Sequence, residues 1–448
     1  MTGKQRDLWV LLAVALALRL VLMPLPDPYD ADLTTFWAPW MQQGAEQGLA
    51  YLYSHGDPPV NYPPLYLSWL ALAGLLYKSI APAMPASPLQ SFLIKLPAVL
   101  ADLGIVFLLY RGARWVSGSN RLGFARAWLP VNSFPTFAFL VAALWALNPA
   151  VIYVSAFWGQ VDSIHTFFLL AALMAALTRR WGMSGVLIVL GLLTKLQAVV
   201  LLPLLLYLAW RAGYRSLGRF AAGSLGTLAT TLILFAGSNT LLPMMQVYGG
   251  SVGYFDKLTV NAYNTWWLVD VLGKRLFGEH FLDSYQVIGP LSLRWIGLLL
   301  MAGYAVLVLW RLDRTGWWLK NREEMDHELH VFFAAGMLVF GFFMLPTEIH
   351  ERYILPALAF LAMIAWCQRG LLIAYLLLSF TVLINLLEVL PFAPWLYRSF
   401  ASVEGERVLL AVINVVLFLW LNWRYLGTTP LARPGPTPMA GAETAGQA

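Results

Sequence analysis

Long apolar runs separated by short polar connections dominate the chain. A run of roughly 20 apolar residues is long enough to cross a bilayer as a helix. The pattern predicts spans over 8–23, 92–110, 134–156, 164–178, 183–195, 196–210, 219–237, 291–310, 330–346, 353–367, 371–388 and 407–424. Several are short for a crossing, so broken or tilted helices are expected among them. The run 65–80 is also apolar, but "NYPPL" precedes it and "APAMPASP" follows it. Such flanks suit a helix lying at the membrane surface. The expected fold class is therefore all-α, a polytopic membrane protein with about 12 transmembrane helices and surface helices in an outer first loop.

Composition agrees with this reading. Of the 448 residues, 60% are hydrophobic and 12% charged, where a soluble domain carries about a quarter charged. The basic N-terminus and first apolar run resemble a signal peptide. No small-x-small cleavage site follows, and Arg19 interrupts the run, so a retained first helix is expected. The single cysteine, Cys367, allows neither an internal disulfide nor a zinc set of thiolates.

Charge sets the expected orientation. With the N-terminus cytoplasmic, the inner segments hold most of the 29 Lys and Arg, including Arg111, Arg114, Arg121 and Arg126, while most of the 23 acids fall outside. Turning 65–80 into a span would move that arginine-rich connection outside. The expected organisation is a transmembrane domain over 1–427 with extracytoplasmic loops 24–91 and 238–290. A Pro/Gly/Ala-rich tail, 428–448, reads as disordered and cytoplasmic. There is no internal repeat of the kind secondary transporters carry and no Gly-rich phosphate loop. The chemistry is thus expected at the outer face of a cell membrane, and no nucleic-acid partner is expected.

Five stretches could carry that chemistry. "DPYDADLTTFWAPW" (27–40) offers Asp27 to a turn and Asp30 to a helix cap; Asp32 falls inside the helix, and Pro39 is expected to kink it. An acid in a first turn also simply complements the helix dipole. "NYPPL" makes a rigid loop around Tyr62. "SAFWGQVDSIH" (155–165) supplies Trp158, which an aromatic belt would explain, with Gln160 and Asp162 as cavity-lining groups. "LLTKLQAVV" sets Lys195 and Gln197 between two short apolar runs, where Lys195 either serves a site or snorkels to the interface. "PTEIHERYILP" (346–356) stacks Glu348, His350, Glu351 and Arg352 at a helix boundary. An Arg–His pair suits a phosphate, because Arg donates two parallel hydrogen bonds to its oxygens. "HERYI" lacks the second histidine of a zinc motif. Lys95 and Asp102, on one helix face, suggest a structural ion pair or a polar bundle contact.

In order, "ADLTTFWAPW", "NYPPL", "FWGQVDS", "LLTKLQA" and "HERYILP" resemble integral-membrane glycosyltransferases of the GT-C superfamily. They are closest to bacterial relatives of the ALG6/ALG8 glucosyltransferases, and the resemblance covers roughly residues 5–425. It implies a hexosyltransferase of glucosyl or mannosyl type that transfers a sugar with inversion from a polyprenyl-phosphate-linked donor. By resemblance, Asp32 is the general base, with Asp30 the fallback. His350 and Arg352 match the family's His-Glu-Lys/Arg motif near the donor phosphate, with Arg352 where the eukaryotic enzymes tend to have Lys. Lys195 would join them. Tyr62, Trp158, Gln160, Asp162, Gln197 and Glu348 are expected to line the substrates.

Elementary chemistry fits this. One base suffices for a single displacement, and a departing phosphate needs positive charge aimed at it. No metal or cofactor is required, although a divalent ion held by the outer acids stays open. The acceptor would be a lipid-linked saccharide, a glycolipid, a cell-wall polymer or a protein. Two other readings remain: a transporter or flippase of a lipid-linked sugar, and an adapter subunit that keeps the fold without activity.

Overall fold

The computed structural model describes residues 3–26, 31–117, 137–237, 240–315, 326–392 and 404–427. Asp27, Asp30, most of the arginine-rich connection and the tail 428–448 lie outside them.

Helix α1 (Gly3–Leu22) leads to a single turn of π-helix, Leu33–Trp37, which passes into α2 (Ala38–Gln47). Pro39 sits in the first turn of α2, within a helical stretch that runs on from the π-helical turn without a break. Next come α3 (Leu49–His55), α4 (Pro64–Ile80) and α5 (Pro88–Ser117). Helix α6 (Phe137–Ala146) bends by 44° into α7 (Pro149–Ile152) and a second π-helical turn, Tyr153–Trp158. At the bend Asn148 accepts a hydrogen bond from the Ala150 N–H at 3.0 Å, and Pro149 opens the new helix. Helices α8 (Asp162–Leu177) and α9 (Trp181–Leu192) follow, then a 3₁₀ stretch (Leu196–Leu201) continuing as α10 (Leu202–Arg211).

The second half holds α11 (Tyr214–Ala236), α12 (Leu241–Gly249), β1 (Thr259–Val260) and α13 (Thr265–Phe277). Strands β2 (Gln286–Ile288) and β3 (Leu291–Ser292) form a small hairpin before α14 (Leu293–Arg314). Helix α15 (Asp326–Met344), β4 (Ile349–His350), α16 (Leu355–Ala365), α17 (Arg369–Val389) and α18 (Glu404–Leu426) complete the chain.

Each predicted apolar run coincides with a helix, but the count of twelve spans does not follow. Among the described residues six helices are long and apolar enough to cross a membrane: α5, α11, α14, α15, α17 and α18. The bent unit from α6 to Trp158 makes a seventh. Helices α8, α9 and α16 and the unit Leu196–Arg211 are apolar but shorter, and α1 is not among the candidates. The chain is thus a multi-pass, almost wholly helical protein. Its two short two-stranded sheets were not expected.

The main core is built around α15 and α16, whose side chains are buried on nearly every face, with α5 to α10 and α17 packed around them. A second core fills the segment between α1 and α5, where Trp37, Trp40, Leu67 and Tyr66 join α2 to α4. Helices α11 and α14 expose Leu225, Ile233, Leu234, Leu299 and Val306, apolar faces suited to lipid contact. Helix α11 meets α9 so closely that a Cβ at Gly185 would stand 2.1 Å from the Phe220 carbonyl oxygen. Small residues permit such backbone approach within a bilayer.

Arg19 accounts for the break in the first apolar run. Its Nε donates to Asp102 Oδ2 at 2.7 Å and its Nη1 to the Ala15 and Ala146 carbonyls at 3.0 Å. Trp145 Nε1 donates to Oδ1 at 3.2 Å and Ser155 Oγ to Oδ2 at 2.5 Å. The partner of Asp102 is therefore Arg19 and not Lys95, which donates instead to the Leu25 carbonyl at 2.6 Å. This fully buried cluster ties α1, α5, α6 and the second π-helical turn together.

Candidate active site

Four segments far apart in sequence converge on one cavity of about 640 Å³. The first π-helical turn brings Asp32, which immediately precedes it and lies half-buried at its start. π-Helical turns widen the backbone locally and recur at functional sites. The proline-rich loop contributes Tyr62, held by an edge-on Trp37 ring at 4.9 Å and by Tyr53, whose hydroxyl donates to the Tyr62 carbonyl at 2.9 Å. The break between α9 and the 3₁₀ stretch supplies Lys195 and Gln197. The connection from α15 to α16 supplies His350, Arg352 and Tyr353.

Behind the cavity wall lies the segment Trp158–Asp162, which the sequence reading placed among the lining groups. Trp158 and Gln160 both donate to Asp32 Oδ2, Trp158 Nε1 at 2.9 Å. Asp162 is fully buried and accepts from Lys195 Nζ at 2.7 Å, with its other oxygen 3.6 Å from Arg352 Nε. The Arg352 guanidinium stands 5.4 Å over the Trp158 ring and pairs with Glu351 Oε1 at 2.6 Å. Lys195 Nζ lies 4.5 Å from the centre of the Tyr353 ring. Trp158 is thus a buried hydrogen-bond donor and not a belt residue, and Lys195 is held in an ion pair and does not snorkel.

Lys195 and Arg352 both line the cavity. His350 packs between the Phe255 and Tyr353 rings at 4.9 and 5.0 Å, with Nδ1 3.7 Å from Glu351 Oε2. Burial and the nearby Arg352 charge push its pKa down against the opposing pull of Glu351, so it is neutral at pH 7. Burial alone would raise Glu351, but the Arg352 charge and the nearby His350 ring hold it down at about 2. The site thus pairs Asp162 and Glu351 with Lys195 and Arg352. Among the described residues no three His, Cys, Asp or Glu side chains converge to hold a metal ion.

The segment after α11 carried no motif, yet it closes the cavity. Gln246 and Val247 from α12, then Ser251, Tyr254 and Phe255, form one wall. Strand β1 pairs in parallel with β4, setting Val260 opposite His350. Asn385 on α17 holds the next turn, donating to the Asn261 carbonyl at 2.7 Å and accepting from the Tyr263 N–H at 3.2 Å.

Glu348 does not face the cavity. It lies 3.4 Å from Arg294, which also makes two 2.7 Å hydrogen bonds to Asp283, and it accepts from the Phe255 N–H at 3.3 Å. Burial and the neighbouring Asp283 carboxylate raise Glu348 to about 7. Burial works against Asp283 as well, but the Arg294 hydrogen bonds dominate and hold it at about 2. Glu348 thus belongs to a clip that fastens the segment between α11 and α14. Tyr353 and the cavity wall 246–255 also line the site and were not expected there. Tyr353 was legible as the last residue of "HERY", whereas the wall had no local signal.

A family model described as GPI transamidase subunit PIG-U matches residues 46–269, half of the 448-residue chain. The match includes Tyr62, Trp158, Gln160, Asp162, Lys195 and Gln197 and stops short of Asp32 at one end and of His350 and Arg352 at the other. No curated protein matches the sequence.

Proposed function

The chain belongs to the PIG-U family, and from that premise we propose that it is an inverting hexosyltransferase using a polyprenyl-phosphate-linked donor. The observation that carries the reading is the convergence of one carboxylate, Asp32, with Lys195, His350 and Arg352 in a single cavity. The cavity opens to the extracytoplasmic face in the orientation that the positive charges favour.

The donor is a phosphodiester with one negative charge. Asp32 takes the proton of the acceptor hydroxyl as its oxygen attacks the anomeric carbon from the face opposite the phosphate. The bond from the anomeric carbon to the phosphate oxygen breaks, and its electron pair leaves with the phosphate, which becomes a dianion. Charge therefore grows on the leaving group during the step. Arg352 and Lys195 stabilise that charge, and neutral His350 donates a hydrogen bond. Fixed dipoles and charges act more strongly in such a partly enclosed, protein-lined site than in water.

A second reading rests on the family match. The family is that of a transamidase subunit, and the matched region omits the proposed base. On that reading the cavity binds a lipid-linked sugar inside a larger assembly and performs no chemistry. Purified protein in lipid, offered a panel of polyprenyl-phosphate hexoses with and without chelator, separates the two. Transfer by the purified chain supports the enzyme. No transfer with any donor, while a partner's activity depends on the chain, supports the subunit.

A further inference from the structure

Asp32 reaches the cavity with one of its two oxygens already engaged. Trp158 Nε1 and Gln160 Nε2 both donate to Oδ2, from a segment that does not itself line the cavity. Trp158 is 3% exposed and Gln160 fully buried, so neither can turn toward a ligand without leaving its place in the core. Because a carboxylate only accepts, the amide nitrogen of Gln160 must face it. The local backbone explains how two residues on one segment reach one atom. The π-helical turn Tyr153–Trp158 ends in Gly159 at φ 78°, and the Gln160 N–H closes the turn on the Val154 carbonyl at 3.0 Å. A glycine is favoured there because that conformation strains other residues. A Cβ at Gly159 would also press on Lys95 at 3.0 Å. The turn therefore presents residues 158 and 160 on the same side, toward Asp32.

We propose that Trp158 and Gln160 are positioning residues that lock Asp32 through Oδ2, leaving Oδ1 as the oxygen that serves the cavity. The Trp158 ring also lies under the Arg352 guanidinium, at 5.4 Å. One residue therefore fixes the distance between the acid and the principal cation. This deepens the hexosyltransferase reading and, for its consequence on rate, rests on it. Without the two donors the carboxylate can rotate, and Oδ1 loses its fixed aim at the acceptor hydroxyl. Misplacement by about 1 Å in such a site costs on the order of a hundred-fold in rate.

Two measurements on the full chain in micelles test this. In protein labelled with ¹⁵N at the tryptophan indoles, the Trp158 N–H resonance is identified by its loss in Trp158→Phe. It is expected to move in Asp32→Asn, which removes the carboxylate charge, and again in Gln160→Leu, which removes the donor sharing Oδ2. In the transfer assay Trp158→Phe, which keeps a ring beneath Arg352, and Gln160→Leu are each expected to lower kcat about a hundred-fold while donor KM changes by less than about twofold. A resonance indifferent to Asp32→Asn overturns the proposal whatever the activity. A resonance that moves while both variants keep wild-type kcat also overturns it, since the contact would then position nothing. If the wild type transfers no sugar, the hexosyltransferase reading fails and the indole shift alone decides whether Asp32 is held this way.

Discussion

Arg352 and Glu351 are neighbours of opposite charge, so their substitution should move donor affinity in opposite directions. Arg352 Nη1 pairs with Glu351 Oε1 at 2.6 Å, and Nε stands 3.6 Å from Asp162. With a phosphate oxygen about 4 Å from the guanidinium and an effective dielectric near 20, the attraction is worth about 4 kcal/mol. Part of it is offset by competition from the two carboxylates. Arg352→Ala is therefore expected to weaken donor binding by about 2–4 kcal/mol, or about 30- to 1000-fold. Glu351→Gln removes a negative charge about 7 Å from the phosphate, a repulsion of about 2 kcal/mol on the same footing. It should tighten binding by up to about thirty-fold. Arg352→Lys keeps the charge, loses the fork and should fall between wild type and Arg352→Ala. The assay is equilibrium binding of a radiolabelled short-chain polyprenyl-phosphate hexose to protein in nanodiscs. Undiminished binding by Arg352→Ala would refute the phosphate assignment. Equal weakening by both Arg352→Ala and Glu351→Gln would refute the electrostatic argument, because the pair would then be acting as a structural unit.

Two further predictions concern the scaffold. Asp102→Asn leaves Arg19 charged and fully buried without its counter-ion, and should destabilise the protein by about 3–5 kcal/mol. Thermal inactivation in detergent measures this, and the double variant Arg19→Met/Asp102→Leu should recover most of the loss. Glu348, raised to about 7 in the folded protein, has an ordinary value of about 4.3 when unfolded. Its contribution to the clip around Arg294 is fully present below that range and is lost as pH rises through about 7. Asp283, held at about 2, stays ionised throughout and adds no pH dependence there. Amide exchange of 251–260, corrected for intrinsic rates, should quicken between pH 5.5 and 8 in wild type and stay level in Glu348→Gln. These pH limits bracket the value of about 7.

Helix positions were readable because apolar runs report burial and lipid contact directly. The number of crossings was not, because length decides it. Breaks at Asn148–Pro149, Gly159 and Lys195 cut long apolar stretches into pieces that no periodicity distinguishes from full spans. For the site, the motifs around Asp32, Tyr62, Lys195 and His350 were legible because polar residues in an apolar chain stand out. Their roles relative to one another were not. Trp158, Gln160 and Asp162 were expected on the cavity surface, yet burial turns them into the layer that holds Asp32, Lys195 and Arg352. The wall formed by Gln246, Ser251, Tyr254 and Phe255 left no mark in the sequence. Its place depends on the long-range pairing of β1 with β4 and on Asn385.

The account stands or falls on Asp32 as the base. The rate of hexose transfer by purified Asp32→Asn, with a donor that the wild type uses, tests it most directly. The variant keeps an acceptor oxygen toward Trp158 and Gln160 but cannot take the proton. A fall in kcat of about 10²- to 10⁴-fold with little change in donor affinity is the predicted result. Transfer at the wild-type rate would contradict it.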